Sequence, residues 1–232
     1  MGINYFVFDG RRSTEWGVWI SGGGTYNAPA RDLEAVSIPG VNGDYHFDNG
    51  RFYNAMLTYP AFISKKFERV NEFRAWLAAH YGYYRLEDTY HPDEFRMAAF
   101  HEGFDAAPTA LNRAGSFDVV FDCKPQRWLK SGEIAKPVSS GTRLFNPTQF
   151  EAKPLIRAYG SGTATVNGYT FTLSGAGDYA DIDCELQEVY RDSINLNDKI
   201  TLAEFPVLSP GENLVTFTGF TSIRITPRWW TL

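Results

Sequence analysis

GSFDVVFDCKPQRWLKSGE, running from Gly115 to Glu133, decides how this chain is divided. Phe117, Val119, Phe121 and Cys123 share one face of an extended segment, and Asp118, Val120 and Asp122 share the other. That is the two-residue period of a half-buried strand. Pro125 then removes a ladder donor, Trp128 and Leu129 offer an apolar plug, and Lys130, Ser131 and Gly132 read as an exit turn. From there to about Asn146 the sequence is polar and poor in pattern. The stretch reads as the last strand of one domain and the hinge to a second, so domains at 1–133 and 134–232 are expected.

Upstream, Asn4 to Phe8 reads as a strand that turns at Asp9 and Gly10. Trp16, Val18 and Ile20 alternate with Gly17 and Trp19 as a hairpin partner. Gly22, Gly23 and Gly24 have no following GKS or GKT and no helix pattern, so they read as a loop rather than a phosphate cradle. Pro29 to Gly43, PARDLEAVSIPGVNG, places Val36 and Ile38 on one face and ends in two tight turns, which marks an ordered, functional loop. Arg51 to Ile63 reads as strand. Ser64 then caps a helix in which Phe67, Val70, Phe73, Leu77 and Tyr81 recur every three or four residues, with Lys66, Glu68, Arg69 and Glu72 mostly opposite and Gly82 as a stop. Tyr84 to Glu87 and Phe95 to His101 are strands around a Pro92 and Asp93 turn.

Downstream the periodicity is all β. Leu155 to Tyr159 is a strand, and Thr163 to Val166 and Tyr169 to Leu173 flank Asn167 and Gly168, a strong hairpin signal. Ala180, Ile182, Cys184 and Leu186 alternate with Asp181, Asp183 and Glu185, giving a strand with an acidic outer face. Leu214 to Thr218 and Ser222 to Thr226 follow at close spacing, which indicates a sandwich. The fold class is mainly β: an N-terminal β domain with one α-helix, then a β-sandwich.

The 232 residues suit one large domain or two small ones, and 44% hydrophobic with 16% aromatic residues suits packed β structure. A formal net charge of -5 argues against tight, sequence-independent adhesion to nucleic acid, which needs clustered cations to displace phosphate counterions. Cys123 and Cys184 fall in different expected domains, each on an apolar side, so buried free thiols are expected. The chain opens on a strand pattern rather than a signal peptide, and no apolar run approaches membrane-spanning length. Synthesis in a cytoplasm without membrane insertion is expected.

Reactive constellations are not legible. His46, His80, His91 and His101 share no metal spacing, and Gly-x-Ser-x-Gly is absent. Asp181 and Asp183 point the same way from one strand. A cation pair is one reading, and solvated or interfacial carboxylates are the stronger one. Asn195 to Asp198, NLND, reads as a turn closed by side chain to backbone hydrogen bonds. Trp229 and Trp230 cannot both face inward. One stacks on a sugar ring or a neighbouring subunit, or packs under the sandwich rim.

FDVVFDCKPQRWLKSGE resembles the signature that ends the first domain of the distal tail protein (Dit) family of long, flexible-tailed (siphovirus-type) bacteriophages. FDG at Phe8 to Gly10, EAVSIPGVNGDY at Glu34 to Tyr45, AWL at Ala75 to Leu77 and PDEFRMA at Pro92 to Ala98 resemble family motifs in the family order. KPLIRAYGSG at Lys153 to Gly162, DIDCELQEVY at Asp181 to Tyr190 and FPVLSPGEN at Phe205 to Asn213 do the same, so the resemblance spans nearly the whole chain. Two features depart from it: Val41 stands where many members carry a basic residue, and no long insertion interrupts either domain.

The resemblance implies a tail-tube-like first domain assembled as a homo-hexameric ring, with a galectin-like β-sandwich on its periphery. The ring would join the tail tube protein to the tail hub or tip protein at the baseplate, around the channel through which DNA leaves without specific binding. Receptor-binding or other baseplate proteins are further partners. The implied place is the virion tail tip, assembled in the host cytoplasm, with no enzyme activity, catalytic residue, cofactor or metal. Subunit contacts are expected at Glu34, Val36, Ile38, Pro39, Gly40, Asn42, Gly43 and Asp44, and partner contacts at Trp229 and Trp230. The alternative function is a carbohydrate-binding module that uses the C-terminal sandwich for host adhesion.

Overall fold

The structure is a computed structural model that describes residues 4–24, 26–64, 67–109 and 113–232. Lys66, expected on the polar face of the helix, lies outside the described residues. The chain divides into two compact units, one running to Arg127 and the other Trp128–Thr231. The secondary structure is mainly β, with one α-helix among the described residues.

In the first unit the organising strand is Ala114–Leu129, of which 114–127 belong to this unit. Its register against Ala55–Ser64 runs from Ala114 opposite Ser64 to Cys123 opposite Ala55. Phe117, Val119, Phe121 and Cys123 are buried together, as the alternation requires. The strand does not stop at Pro125. The ladder with Ala55–Ser64 has already ended at Cys123, so proline removes no donor from it.

The sheet order is Arg11–Arg12, Phe6–Phe8, Tyr84–Asp88, Glu94–Ala99, Ala114–Leu129, Ala55–Ser64, Val18–Ile20. Phe6–Phe8 therefore turns into Arg11–Arg12, and the expected partner segment is split. Ser13–Trp16 is a 3-10 turn, and Val18–Ile20 crosses to the far edge beside Ala61, Phe62 and Ile63. A bridge from Asn4, just ahead of Phe6–Phe8, to Ile20 of the far edge strand shows that the sheet curls back on itself.

The helix is Val70–Ala78, preceded by a 3-10 turn at Phe67–Arg69. Ser64 ends the preceding strand rather than holding the N-cap position, which falls on Arg69 without a side-chain capping bond. Phe73, Trp76 and Leu77 form the buried stripe, with Trp76 stacked on Trp16 at 4.1 Å. Tyr81 lies past the helix end and is 98% exposed. Phe121 is the hub of the core, with ring centroids 5.4 Å from Phe6, 5.1 Å from Phe8 and 5.9 Å from Phe100.

The second unit is a sandwich. One sheet is ordered Lys136–Val138, Ser222–Thr226, Leu155–Tyr159, Tyr179–Asp183, Glu188–Arg191, Ile194–Asn195. The other is ordered Thr142–Asn146, Gly211–Thr218, Gly162–Val166, Tyr169–Leu173, Ile200–Leu202. Ile156, Ala158 and Ile182 of one sheet meet Val166, Phe171 and Val215 of the other in a single core. Strands Lys136–Val138 and Thr142–Asn146 occupy the stretch whose pattern looked irregular. Asn167 and Gly168, at φ 50 and 87, make the hairpin turn. Asn195 and Asn197 close their turn with side-chain acceptors to the N–H groups of Asn197 and Val189.

Asp181 and Asp183 do not form an outer acidic face: both are buried. Arg157 donates to Asp181 from Nε and Nη2 at 2.7 and 2.6 Å, and Arg228 donates to Asp183 from Nη1 and Nη2 at 2.7 and 2.8 Å. Burial pushes the Asp183 carboxyl up, but Arg228 and the N–H groups of Leu186 and Glu185 together hold it below its ordinary value. Arg228 is placed by a left-handed backbone, φ 58, and its N–H donates to the Gly132 carbonyl at 2.8 Å. A side chain at Gly132 would meet the Trp229 nitrogen at 2.3 Å, so only glycine allows this approach. Cys123 and Cys184 are free and buried, as expected. Among the described residues no helix is long and apolar enough to cross a membrane.

Two stability outcomes follow from these contacts. Phe121→Ala is expected to cost about 3 to 5 kcal/mol in denaturant unfolding, and a loss under about 1 kcal/mol would show that the strand face is misassigned. Arg228→Leu strands the Asp183 carboxylate and is expected to cost about 3 kcal/mol at pH 7. Without Arg228 burial raises Asp183, so the penalty is full only above the variant's raised value, and it fades as pH falls from there through the lowered folded value of the wild type. A penalty that grew on acidification would overturn the pairing.

Candidate functional site

Several exposed apolar side chains gather on a two-stranded arm, Arg31–Ser37 paired with Asp44–Phe52. Neither strand joins another sheet among the described residues. The register sets Val36 opposite Tyr45 and Glu34 opposite Phe47, so these four side chains share a face. The reverse face carries Ala35 opposite His46, Leu33 opposite Asp48 and Ser37 opposite Asp44. Val36 is 44% exposed, Tyr45 61% and Phe47 55%, and Ile38 and Val41 in the connecting turn are also exposed. The arm is amphipathic, and its apolar face is open.

The sequence-predicted contact residues come together here. Glu34 and Val36 lie on the first strand and Asp44 begins the second. Ile38, Pro39, Gly40, Asn42 and Gly43 form the connection, with Gly40 and Gly43 at positive φ. Tyr45 and Phe47 are not among the expected contacts: Pro29 to Gly43 reads as a loop and Arg51 to Ile63 as one strand, with no element assigned to Asp44 to Gly50 between them. Alternation of Tyr45 and Phe47 with His46 and Asp48 is the signal that marks the second strand. The break falls instead at Tyr53 and Asn54, ahead of Ala55–Ser64.

An isolated two-stranded ribbon is marginal in water. Here a polar knot holds its base. Asp32 accepts from the Tyr53 hydroxyl at 2.6 Å, Arg51 Nε at 2.6 Å and Asn49 Nδ2 at 3.2 Å, and is buried where its neighbours are exposed. The Tyr53 hydroxyl first, then Arg51 and Asn49, hold the Asp32 carboxyl below its ordinary value. Asp48 is lowered likewise, by the Gly50 N–H and then by Arg31, whose guanidinium also lies over Phe52 at 4.6 Å.

The two tryptophans belong to the other unit and part company. Trp229 is core, 2% exposed, which removes it from the expected partner contacts. Trp230 is half-buried. It stacks on Phe150 at 4.4 Å, and its Nε1 donates to the Glu151 carbonyl at 2.8 Å.

Burial pushes the thiols of Cys123 and Cys184 up to about 12, far from the thiolate a nucleophile needs. Among the described residues no three His, Cys, Asp or Glu side chains gather to hold a metal ion.

The knot gives a pH test. Lowered carboxyls stabilise the arm base above the unfolded value of about 3.9, and that support is lost as pH falls through the folded values. Asp32→Ala is expected to speed amide exchange across 31–37 and 44–52 at pH 7 without altering global unfolding. The gap from wild type should narrow below about pH 4. Unchanged exchange at pH 7 would show that the knot does not hold the arm.

No protein-family model matches the sequence, and no curated protein matches it. Among solved structures, the fold matches the SPP1 Dit (gp 19.1) protein, described as a paradigm of the hub adsorption apparatus in phages that infect Gram-positive bacteria. That match has a TM-score of 0.77 at 11% identity and covers 100% of each chain. A chain of the phage P2 baseplate in its activated conformation with Ca matches with a TM-score of 0.50 at 9% identity, over 97% of this chain and 98% of that one. Over its whole length, then, this chain has the mainly β fold of a phage distal tail (Dit) protein.

Proposed function

We propose that this chain is a structural, non-catalytic component of a phage tail tip: six copies close into a ring that joins the tail tube protein to the baseplate hub. The observation that carries the reading is the fold match to a Dit protein over the full length of both chains. In this reading the first unit builds the ring and surrounds the DNA exit channel, and the sandwich docks other baseplate proteins. The chain works in the virion, after assembly in the host cytoplasm. A net charge of -5 suits a lumen through which DNA slides, since clustered cations would hold phosphate rather than pass it.

The arm supplies the subunit contact. Val36, Tyr45 and Phe47 offer an apolar face that the ribbon itself cannot cover, and a neighbouring copy in a closed ring covers it without leaving an open end. The carbohydrate-binding alternative has less support: Trp229 is buried, and Phe150 already occupies a face of Trp230.

Negative-stain imaging and native mass measurement of the chain with its tube and hub partners are expected to show a ring of six. Tyr45→Asp, at an exposed position, should leave folding intact and weaken self-association by at least about tenfold. Monomers at every concentration with those partners present, or rings indifferent to Tyr45→Asp, would overturn this assignment.

A further inference from the structure

The sandwich ends on one side in Ile200–Leu202, an edge strand paired, among the described residues, only with Tyr169–Leu173. The Ser174 N–H donates to the Lys199 carbonyl at 3.0 Å, which makes that pair a hydrogen-bonded one. Antiparallel ladders alternate, so Thr172 and Thr201 form the next hydrogen-bonded pair, while Leu173 with Ile200 and Phe171 with Leu202 are non-bonded pairs. The backbone N–H and C=O groups of Ile200 and Leu202 therefore point away from the sheet, and they have no partner among the described residues. The side chains of the same two residues turn toward the core and are half-buried.

A groove of about 800 Å3 lies against this edge. Ile200, Leu202, Phe205 and Val207 give it an apolar floor, and Glu151 and Glu204 are exposed on its lining. No lysine or arginine lines it. Open backbone groups, an apolar floor and uncompensated carboxylates recognise different parts of one kind of ligand. Backbone donors and acceptors in a row select an extended chain, the floor selects alternate apolar side chains, and the two glutamates select cations among the rest.

We infer that the groove beside Ile200–Leu202 takes an extended segment of another polypeptide as an added β-strand, with apolar residues facing the floor and Lys or Arg facing Glu151 and Glu204. A sugar ring uses neither the backbone spacing nor the charge. This docking goes beyond the ring reading and does not depend on it, because it concerns only groups of the sandwich.

The probe is a library of random peptides displayed on an inert carrier, selected on the full chain and counter-selected on Leu202→Pro. Proline there removes the outward N–H and no bond of the existing ladder, so the fold survives, as unfolding measurements check. The expected result is enrichment of sequences that alternate apolar residues with Lys or Arg. The best peptide should slow amide exchange at Ile200 and Leu202, and Leu202→Pro should weaken it about tenfold. Glu151→Lys with Glu204→Lys should turn the selected charge to acidic. No enrichment, enrichment indifferent to Leu202→Pro, a charge preference unmoved by the lysine variant, or protection of those amides by soluble oligosaccharides instead would each overturn the inference. Ring assembly in the same Leu202→Pro chain separates this outcome from failure of the ring reading.

Discussion

Everything in the first unit depends on one face of the Ala114–Leu129 strand staying inward. Phe121 on that face touches rings from Phe6 and Phe8 on one strand, Tyr59 on another and Phe100 beyond a third. A slip of one residue against Ala55–Ser64 would turn these side chains outward and bring Asp118, Val120 and Asp122 into the core. Two carboxylates carried into a core walled by aromatic rings disfavour that alternative by several kcal/mol each. Large rings with few rotatable bonds then fix where the helix sits. Phe73 meets Phe6 and Phe117, and Trp76 meets Trp16.

That strand was legible because burial on one face leaves a period in the sequence, and so was the Asn167–Gly168 hairpin, whose residues suit positive φ. Three other features were hidden for separate reasons. The arm escaped because Asp44, Asp48, Asn49 and Gly50 are turn formers, and their clustering masks the alternation of Tyr45 with Phe47. Asp181 and Asp183 read as solvated because alternation reports which residues share a face, not whether that face is covered. Their partners Arg157 and Arg228 lie 24 and 45 residues away in the chain. Trp16 alternates correctly with Val18, yet it sits in a 3-10 turn, because the 3-10 turn buries the ring without needing a ladder.

The sandwich core and the arm use charge differently. In the sandwich, carboxylates go inside and each is met by a two-pronged guanidinium, so the desolvation cost is offset only while both partners are present. At the arm the polar network stays at the base, and the apolar residues are left outside. A monomer gains nothing from that arrangement, since Val36, Tyr45 and Phe47 would lower the free energy more if buried.

Edges complete the contrast. The first sheet curls until Asn4 bridges Ile20, which leaves little of its rim open to unwanted pairing. The sandwich cannot close in this way, and on one side its two sheets end in strands of three and two residues, Ile200–Leu202 and Ile194–Asn195. Strands that short cannot template a second sheet, which guards against open-ended aggregation. They can still hold a few hydrogen bonds to a single segment, and the carboxylates beside the groove then decide which segments enter. A broad apolar face on the arm and a narrow groove rimmed by carboxylates on the sandwich would suit different partners, because the first would grip any matching flat surface while the second would read a sequence.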